Sequence, residues 1–186
     1  MKKVCHHGPT NTFTVSTPIG EMLITSCPKG LHYVKQSPDT TDSVFKPDKS
    51  CKVELQSQLY EDNGYTYTPA LQSIQWLKSY FDGEQIDKMP PLCPSILSEG
   101  TFTTNVWLKL PDAAPFGQTI SYKELSQAAG SGGAARAVGQ AMATNPIQLI
   151  IPCHRVICSN GTTGNYGRGN RNAVKEWLLQ FENGEV

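Results

Sequence analysis

The chain has 186 residues, 38% of them hydrophobic, and carries no net charge. That length allows one large domain or two small ones, and that apolar content supports a core, which excludes wholesale disorder. No apolar run is long enough to span a bilayer, the Met1–His7 start lacks the apolar segment of a secretory leader, and neutrality argues against a strongly cationic nucleic-acid binder. The expected setting is intracellular, so the six cysteines read as thiols or metal ligands rather than disulfides.

In chain order, "TFTVS", "EMLITS" and "LHYVK" within residues 12–35 predict a small antiparallel sheet, with turns at Pro18-Ile19-Gly20 and Pro28-Lys29-Gly30. Residues 36–64 are polar and aperiodic and read as a long loop. Thr68-Pro69 marks a helix start. Leu71, Ile74, Leu77 and Phe81 fall on one face of that helix, and Asp82-Gly83 ends it. The proline-rich "KMPPLCPS" is a connector. It divides the chain into an N-terminal α/β domain, 1–98, and a C-terminal domain, 99–186. The fold class is α+β, the second domain mostly helical. Residues 102–110 form an apolar helix that Pro111 stops. Ser121-Tyr122-Lys123-Glu124 is a capping box opening the next helix, which Gly130 closes. After a glycine turn comes "AARAVGQAMATN", and Asn172 caps a last helix with Val174, Trp177, Leu178 and Phe181 inward.

Two short helices about a glycine turn suggest helix-turn-helix, with a plain helical hairpin as the alternative. The second is built of Ala134, Ala135, Ala137, Gly139 and Ala141 around a single Arg136. Such small residues permit close backbone approach to a flat or narrow partner. Further on, an apolar run delivers Cys153 between Pro152 and His154, on the expected active strand. A neighbouring base raises the reactive thiolate fraction of a cysteine. Adjacent strand residues face opposite ways, so His154 serves Cys153 only through a bend at Pro152 or a bridging water. A buried structural cysteine is the alternative. Asn145-Pro146 is a rigid turn placed to brace this segment. The glycine-rich stretch 159–169, with Tyr166, forms a rim suited to a flat polar ring. Cys158 reads as packing beneath the active strand.

"PCHRV", with "NP" upstream and "GNYGRG" and "KEWLL" downstream, resembles the O(6)-alkylguanine-DNA alkyltransferases. "FGQTISYKELSQAAG", "AARAVGQAM" and "TPIGEMLITSC" share the resemblance, which is strong over 101–182 and absent in the polar loop. It implies a protein that binds duplex DNA in the minor groove, flips out an alkylated guanine and takes the alkyl group irreversibly onto Cys153, once per molecule. On this resemblance His154 is the water-linked base, Glu182 its orienter and Asn145 the brace of the active-site turn. Tyr122 helps rotate the nucleotide and donates to the leaving guanine, and Arg136 fills the vacated stack. Ala134, Ala135, Val156, Tyr166 and Gly167 contact DNA or line the base pocket. Gly167 stands where the family often has Ser, Thr144 where an arginine is common, and Arg168 and Arg171 are additions. The resemblance also implies a structural zinc, with Cys5, Cys27 and His32 as three ligands and Cys93 in place of a histidine; His6 or His7 are alternative ligands. A nuclear location follows from the DNA substrate, and a monomer with no membrane association is expected. Two other readings are a non-catalytic module that binds alkylated DNA, and a thiol hydrolase.

Overall fold

The computed structural model describes residues 5–84 and 88–186. Met1–Val4, the first part of the stretch on which the leaderless reading rests, lie outside the described residues. Contacts divide the chain into two compact units: the part up to Thr40 with Lys46–Leu97, and Thr41–Phe45 with Ser98–Val186. No helix among the described residues is long and apolar enough to cross a membrane.

In the first unit, β1 (Asn11–Ser16), β2 (Met22–Cys27), β3 (Gly30–Gln36) and β4 (Glu54–Gln58) form one sheet in the order β3-β2-β1-β4. All three pairings are antiparallel. Phe13, Val15, Met22 and Ile24 alternate inward, the period-two pattern of a half-buried sheet. The strand β4 corrects the reading of 36–64 as uninterrupted loop. All five of its residues are exposed, so no hydrophobic alternation marks it. It is held by backbone pairing to β1 and by Asn11, whose Nδ2 donates to Tyr60 O at 2.8 Å. Helix α1 (Thr68–Phe81) packs Ala70, Ile74, Leu77 and Tyr80 inward, while Leu71, expected there, is exposed. Its N-cap is Tyr67, one residue ahead of the predicted start, with Pro69 in the first turn.

In the second unit, α2 (Phe102–Ala113) is capped by Thr101, whose hydroxyl accepts the Thr104 N–H. Pro111 does not stop it: it lies in the final turn, where the loss of one backbone bond is offset by burial of Val106, Trp107 and Leu110. Trp107 Nε1 donates to Ala141 O at 2.8 Å, tying α2 to the small-residue helix. The strand β5 (Ile120–Ser121) leads into α3 (Tyr122–Ala128) through the expected capping box: Ser121 Oγ accepts the Glu124 N–H, and Glu124 Oε2 accepts the Ser121 N–H. The buried hydroxyl of Ser126 donates to Ser131 O and accepts the Ala134 N–H, fixing the turn into α4 (Ala135–Ala143). β6 (Val156–Ile157) pairs in parallel with β5, and α5 (Asn172–Glu182) closes the chain with Val174, Leu178 and Phe181 buried. Asn172 is not the cap expected of it: it is the first residue of α5, and no side chain at the Arg171 cap position bonds there.

Candidate active site and a candidate metal centre

Residues 147–155 do not form the expected strand. Instead the chain closes a series of tight turns: Ile150 N–H donates to Gln148 O, Ile151 N–H to Ile147 O and Cys153 N–H to Ile151 O. Leu149 takes φ +66°, and Pro152 (φ −80°, ψ 64°) sits at the centre of an inverse γ-turn. Cys153–Arg155 then make one turn of 3₁₀ helix. The chain therefore bends at Pro152, one of the two ways in which His154 could serve the thiol. Asn145 holds the bend: its Nδ2 donates to Ile151 O at 2.8 Å and to Cys153 Sγ at 3.1 Å, and its Oδ1 accepts the Ile147 N–H at 2.9 Å.

Behind the thiol lies a buried charge network. His154 Nε2 and Glu182 Oε1 are 2.6 Å apart, and Arg155 grips the same carboxylate with Nε at 2.9 Å and Nη2 at 3.0 Å. Gly117 N–H adds a fourth donor. Such fork-to-carboxylate pairing fixes both position and angle. Burial raises the Glu182 pKa, but His154 and Arg155 outweigh it and hold the carboxyl well below its usual range. Burial keeps His154 neutral despite Glu182. Its Nδ1 is buried without a protein partner, leaving that nitrogen available to take a proton. Burial also pushes the Cys153 thiol up. Hydrogen bonds from Asn145 and Tyr166 and the charge of Lys175 oppose that rise without cancelling it. The Tyr166 hydroxyl, itself buried, is held far above its ordinary range and so remains a donor.

Cys153 opens onto a cavity of about 510 Å³, within the usual range of small-molecule sites. Tyr122, Asn145, Tyr166 and Gly167, all predicted site residues, line it with Cys153. Cys158 and Arg168 line it too, so Cys158 faces the cavity and does not lie beneath a strand. Tyr122 is the first residue of α3, half-buried at the cavity wall. Gly167 has φ +55°, and a Cβ there would meet the Arg171 stem at 2.9 Å, so a Ser would strain the backbone and displace Arg171. Val156 is fully buried and is not among the lining residues. Ala134 and Ala135 are partly open at the start of α4, Arg136 is exposed beside them, and a Cβ on Gly139 would meet open space.

Three groups escaped the reading by sequence. Arg155 has its partner, Glu182, 27 residues on, beyond the reach of any local spacing. Lys175 is fully buried, its Nζ donating to Val156 O at 2.7 Å and to Thr163 O. It sits in "VKEWLL", where a charge among apolar residues was the available signal. Asp42, in the polar stretch, carries no local signal at all.

The first unit holds a second cluster. The ligand atoms of Cys5, Cys27, His32 and Cys93 all lie within 4.8 Å of one another. Cys27 and Cys93 sulfurs are 3.6 Å apart, and Cys5 and Cys93 sulfurs 3.9 Å. Gly30 makes this possible: a Cβ there would come within 2.3 Å of Cys93 N, so only glycine lets β3 lie against residues 91–93. His32 Nε2 is buried with no hydrogen-bond partner, and burial holds the Cys27 thiol up at about 11. Unpartnered buried donors cost stability. Sulfurs on a tetrahedral ion at about 2.3 Å would stand about 3.8 Å apart, which this set matches. His6 and His7 are exposed and outside the cluster.

A buried thiol braced by an amide and open to this cavity, with a paired imidazole and carboxylate in the same unit, is an arrangement suited to group transfer onto cysteine. Residues 101–184 match the family model described as the DNA-binding domain of 6-O-methylguanine DNA methyltransferase. The methylated-DNA–protein-cysteine methyltransferase of Homo sapiens is 37% identical over 98% of this chain and 83% of its own length. That of Methanosarcina acetivorans is 35% identical over 89% of this chain and 94% of its own. The crystal structure of Mycobacterium tuberculosis OGT in complex with DNA covers 93% of this chain and 92% of that one, with a TM-score of 0.65 and 31% identity. The chain belongs to the methylated-DNA–protein-cysteine methyltransferases, repair proteins that move an alkyl group from DNA to a cysteine of their own.

Proposed function

We propose that Cys153 is the acceptor and that the substrate is O(6)-alkylguanine flipped out of duplex DNA into the cavity beside it. The observation that carries this is the thiol at the cavity wall, 3.1 Å from Asn145 Nδ2, with His154 and Glu182 paired behind it. Cys153 gives its proton to His154, directly or through water, and Glu182 and Arg155 steady the imidazolium that forms. The sulfur–carbon bond forms as the carbon–O6 bond breaks, and the electron pair departs on guanine. Tyr122, which lines the same cavity, donates to the leaving base. Burial raises the Tyr122 pKa, which keeps that hydroxyl protonated. The thioether does not hydrolyse, so each molecule acts once.

The open small-residue face of α4 suits the minor groove, where bulk would clash, and exposed Arg136 would enter the stack behind the flipped base. The protein acts as a monomer and in the nucleus, where its substrate is. In the first unit Cys5, Cys27, His32 and Cys93 hold a zinc ion, whose role is to cross-link β2, β3 and the segment around Cys93. Incubation with a limiting and then an excess of methylguanine duplex tests the reading. Repair should stop at one lesion per protein molecule. Continued turnover indicates a hydrolase, and binding without repair indicates a recognition module.

A further inference from the structure

We propose that Asp42 is a positioning residue for alkyl transfer: its carboxylate caps α5, which releases the Asn172 side chain to hold the Tyr166 wall of the cavity. The inference rests on the function proposed above. The first N–H groups of a helix need acceptors, and an Asn at a helix start ordinarily supplies one itself. Here the cap comes from 130 residues away. Asp42 Oδ2 accepts the Asn172 N–H at 3.1 Å, and Oδ1 accepts the Ala173 N–H at 2.8 Å. The Asp42 N–H returns a bond to Asn170 O at 2.8 Å. A tight turn presents the carboxylate: the Val44 and Phe45 N–H groups both bond Thr41 O, and the Thr41 and Ser43 hydroxyls pair at 2.9 Å.

With its own helix capped from outside, Asn172 turns its Oδ1 to the Tyr166 N–H, at 2.8 Å. Tyr166 in turn donates its hydroxyl to Cys153. One helical turn further on, Lys175 ties α5 to Val156 O and Thr163 O. The first turn of α5 therefore holds the cavity rim at two points, and Asp42 holds that turn. Around Cys153 the polar and charged groups are Asn145, Tyr166 and Lys175, with the His154–Glu182–Arg155 network adjoining and Tyr122 and Cys158 lining the same cavity.

The test uses Asp42→Ala and Asp42→Asn in the full chain, with transfer from a free benzylated guanine base timed across neutral to alkaline pH. Asp42→Ala should slow transfer about fivefold, the scale of one lost cap. The midpoint of its rate-against-pH curve should move upward, because Tyr166 then stabilises the thiolate less well. Hydrogen exchange at Tyr166, Asn172 and Ala173 should quicken while Leu125 and Val138 stay protected. Asp42→Asn, which keeps one acceptor oxygen, should recover part of the rate. An unchanged rate and midpoint in Asp42→Ala would overturn the inference, as would slowing with no shift of midpoint and exchange raised throughout. If the unaltered protein itself takes up no alkyl group, the proposed function fails and not merely the role of Asp42.

Discussion

The chain carries two buried cysteine sites built on opposite principles. Around Cys27 and Cys93 the neighbours are other sulfurs and an imidazole nitrogen with no partner. Around Cys153 the neighbours are donors and a cation: an amide, a phenol and a buried ammonium. The first arrangement is a donor set that a positive ion at its centre would satisfy. The second is complete in itself: its donors oppose the rise that burial imposes on the Cys153 pKa, and the sulfur can leave them for an electrophile. Burial alone distinguishes neither, since all three sulfurs are buried. What surrounds the sulfur decides whether it holds or reacts.

Cys153→Ser should separate the two sites most sharply. Alkyl transfer should fall ~10³-fold or more, because a hydroxyl is far less ionised than a thiol, while binding to duplex DNA and metal content remain unchanged. Retained transfer would assign the chemistry to another sulfur.

Glu182→Gln should come next. It loosens His154 and strands the Arg155 charge, so transfer should fall about 10²-fold and unfolding free energy by roughly 3 kcal/mol. The Glu182 carboxyl is held below its usual range in the folded state. Its stabilising contribution is therefore present above the ordinary glutamate value of about 4.3 and is lost as pH falls below it. A chemical-denaturation series into acid should show this loss in the parent and not in Glu182→Gln.

Cys27→Ser, or a strong chelator, should act only on the other site. Melting should drop by about 5 °C, the scale of 1 to 2 kcal/mol in a protein this size, with bound zinc lost and the transfer rate within about twofold of the parent, since no proposed step passes through that metal. A fully retained melting point would dismiss the metal centre.

Smallest is Arg136→Ala, which should slow repair in duplex a few-fold and in single strands less, because only the duplex has a stack to refill.

The two sites were not equally legible in the sequence. Cys153, His154 and Asn145 lie within ten residues, and their chemistry shows in spacing and in the turn-forming prolines. The four-residue metal set is scattered over positions 5 to 93, and no local period brings it together. Gly30 does so, through a close approach that only coordinates reveal. The capping box at Ser121 and the small-residue helix were readable because each is a local pattern. The edge strand β4 was not, since all its side chains face solvent. The expected strand before Cys153 failed because a run of Ile and Leu has the same composition in a buried series of turns. Pro111 misled because a proline in a last turn breaks little. Asp42 and Lys175 work through backbone acceptors and donors far along the chain, where side-chain pattern carries no signal.

The account depends on which sulfur receives the alkyl group. Cys153 and Cys158 line the same cavity, and Arg155 stands between them, so trypsin separates them into different peptides. After incubation with a methylguanine duplex, peptide mass spectrometry should find one methyl group on the Cys153 peptide and none elsewhere. A methyl group on the Cys158 peptide or on the Cys27 peptide, or an unmodified protein beside a repaired duplex, would contradict it.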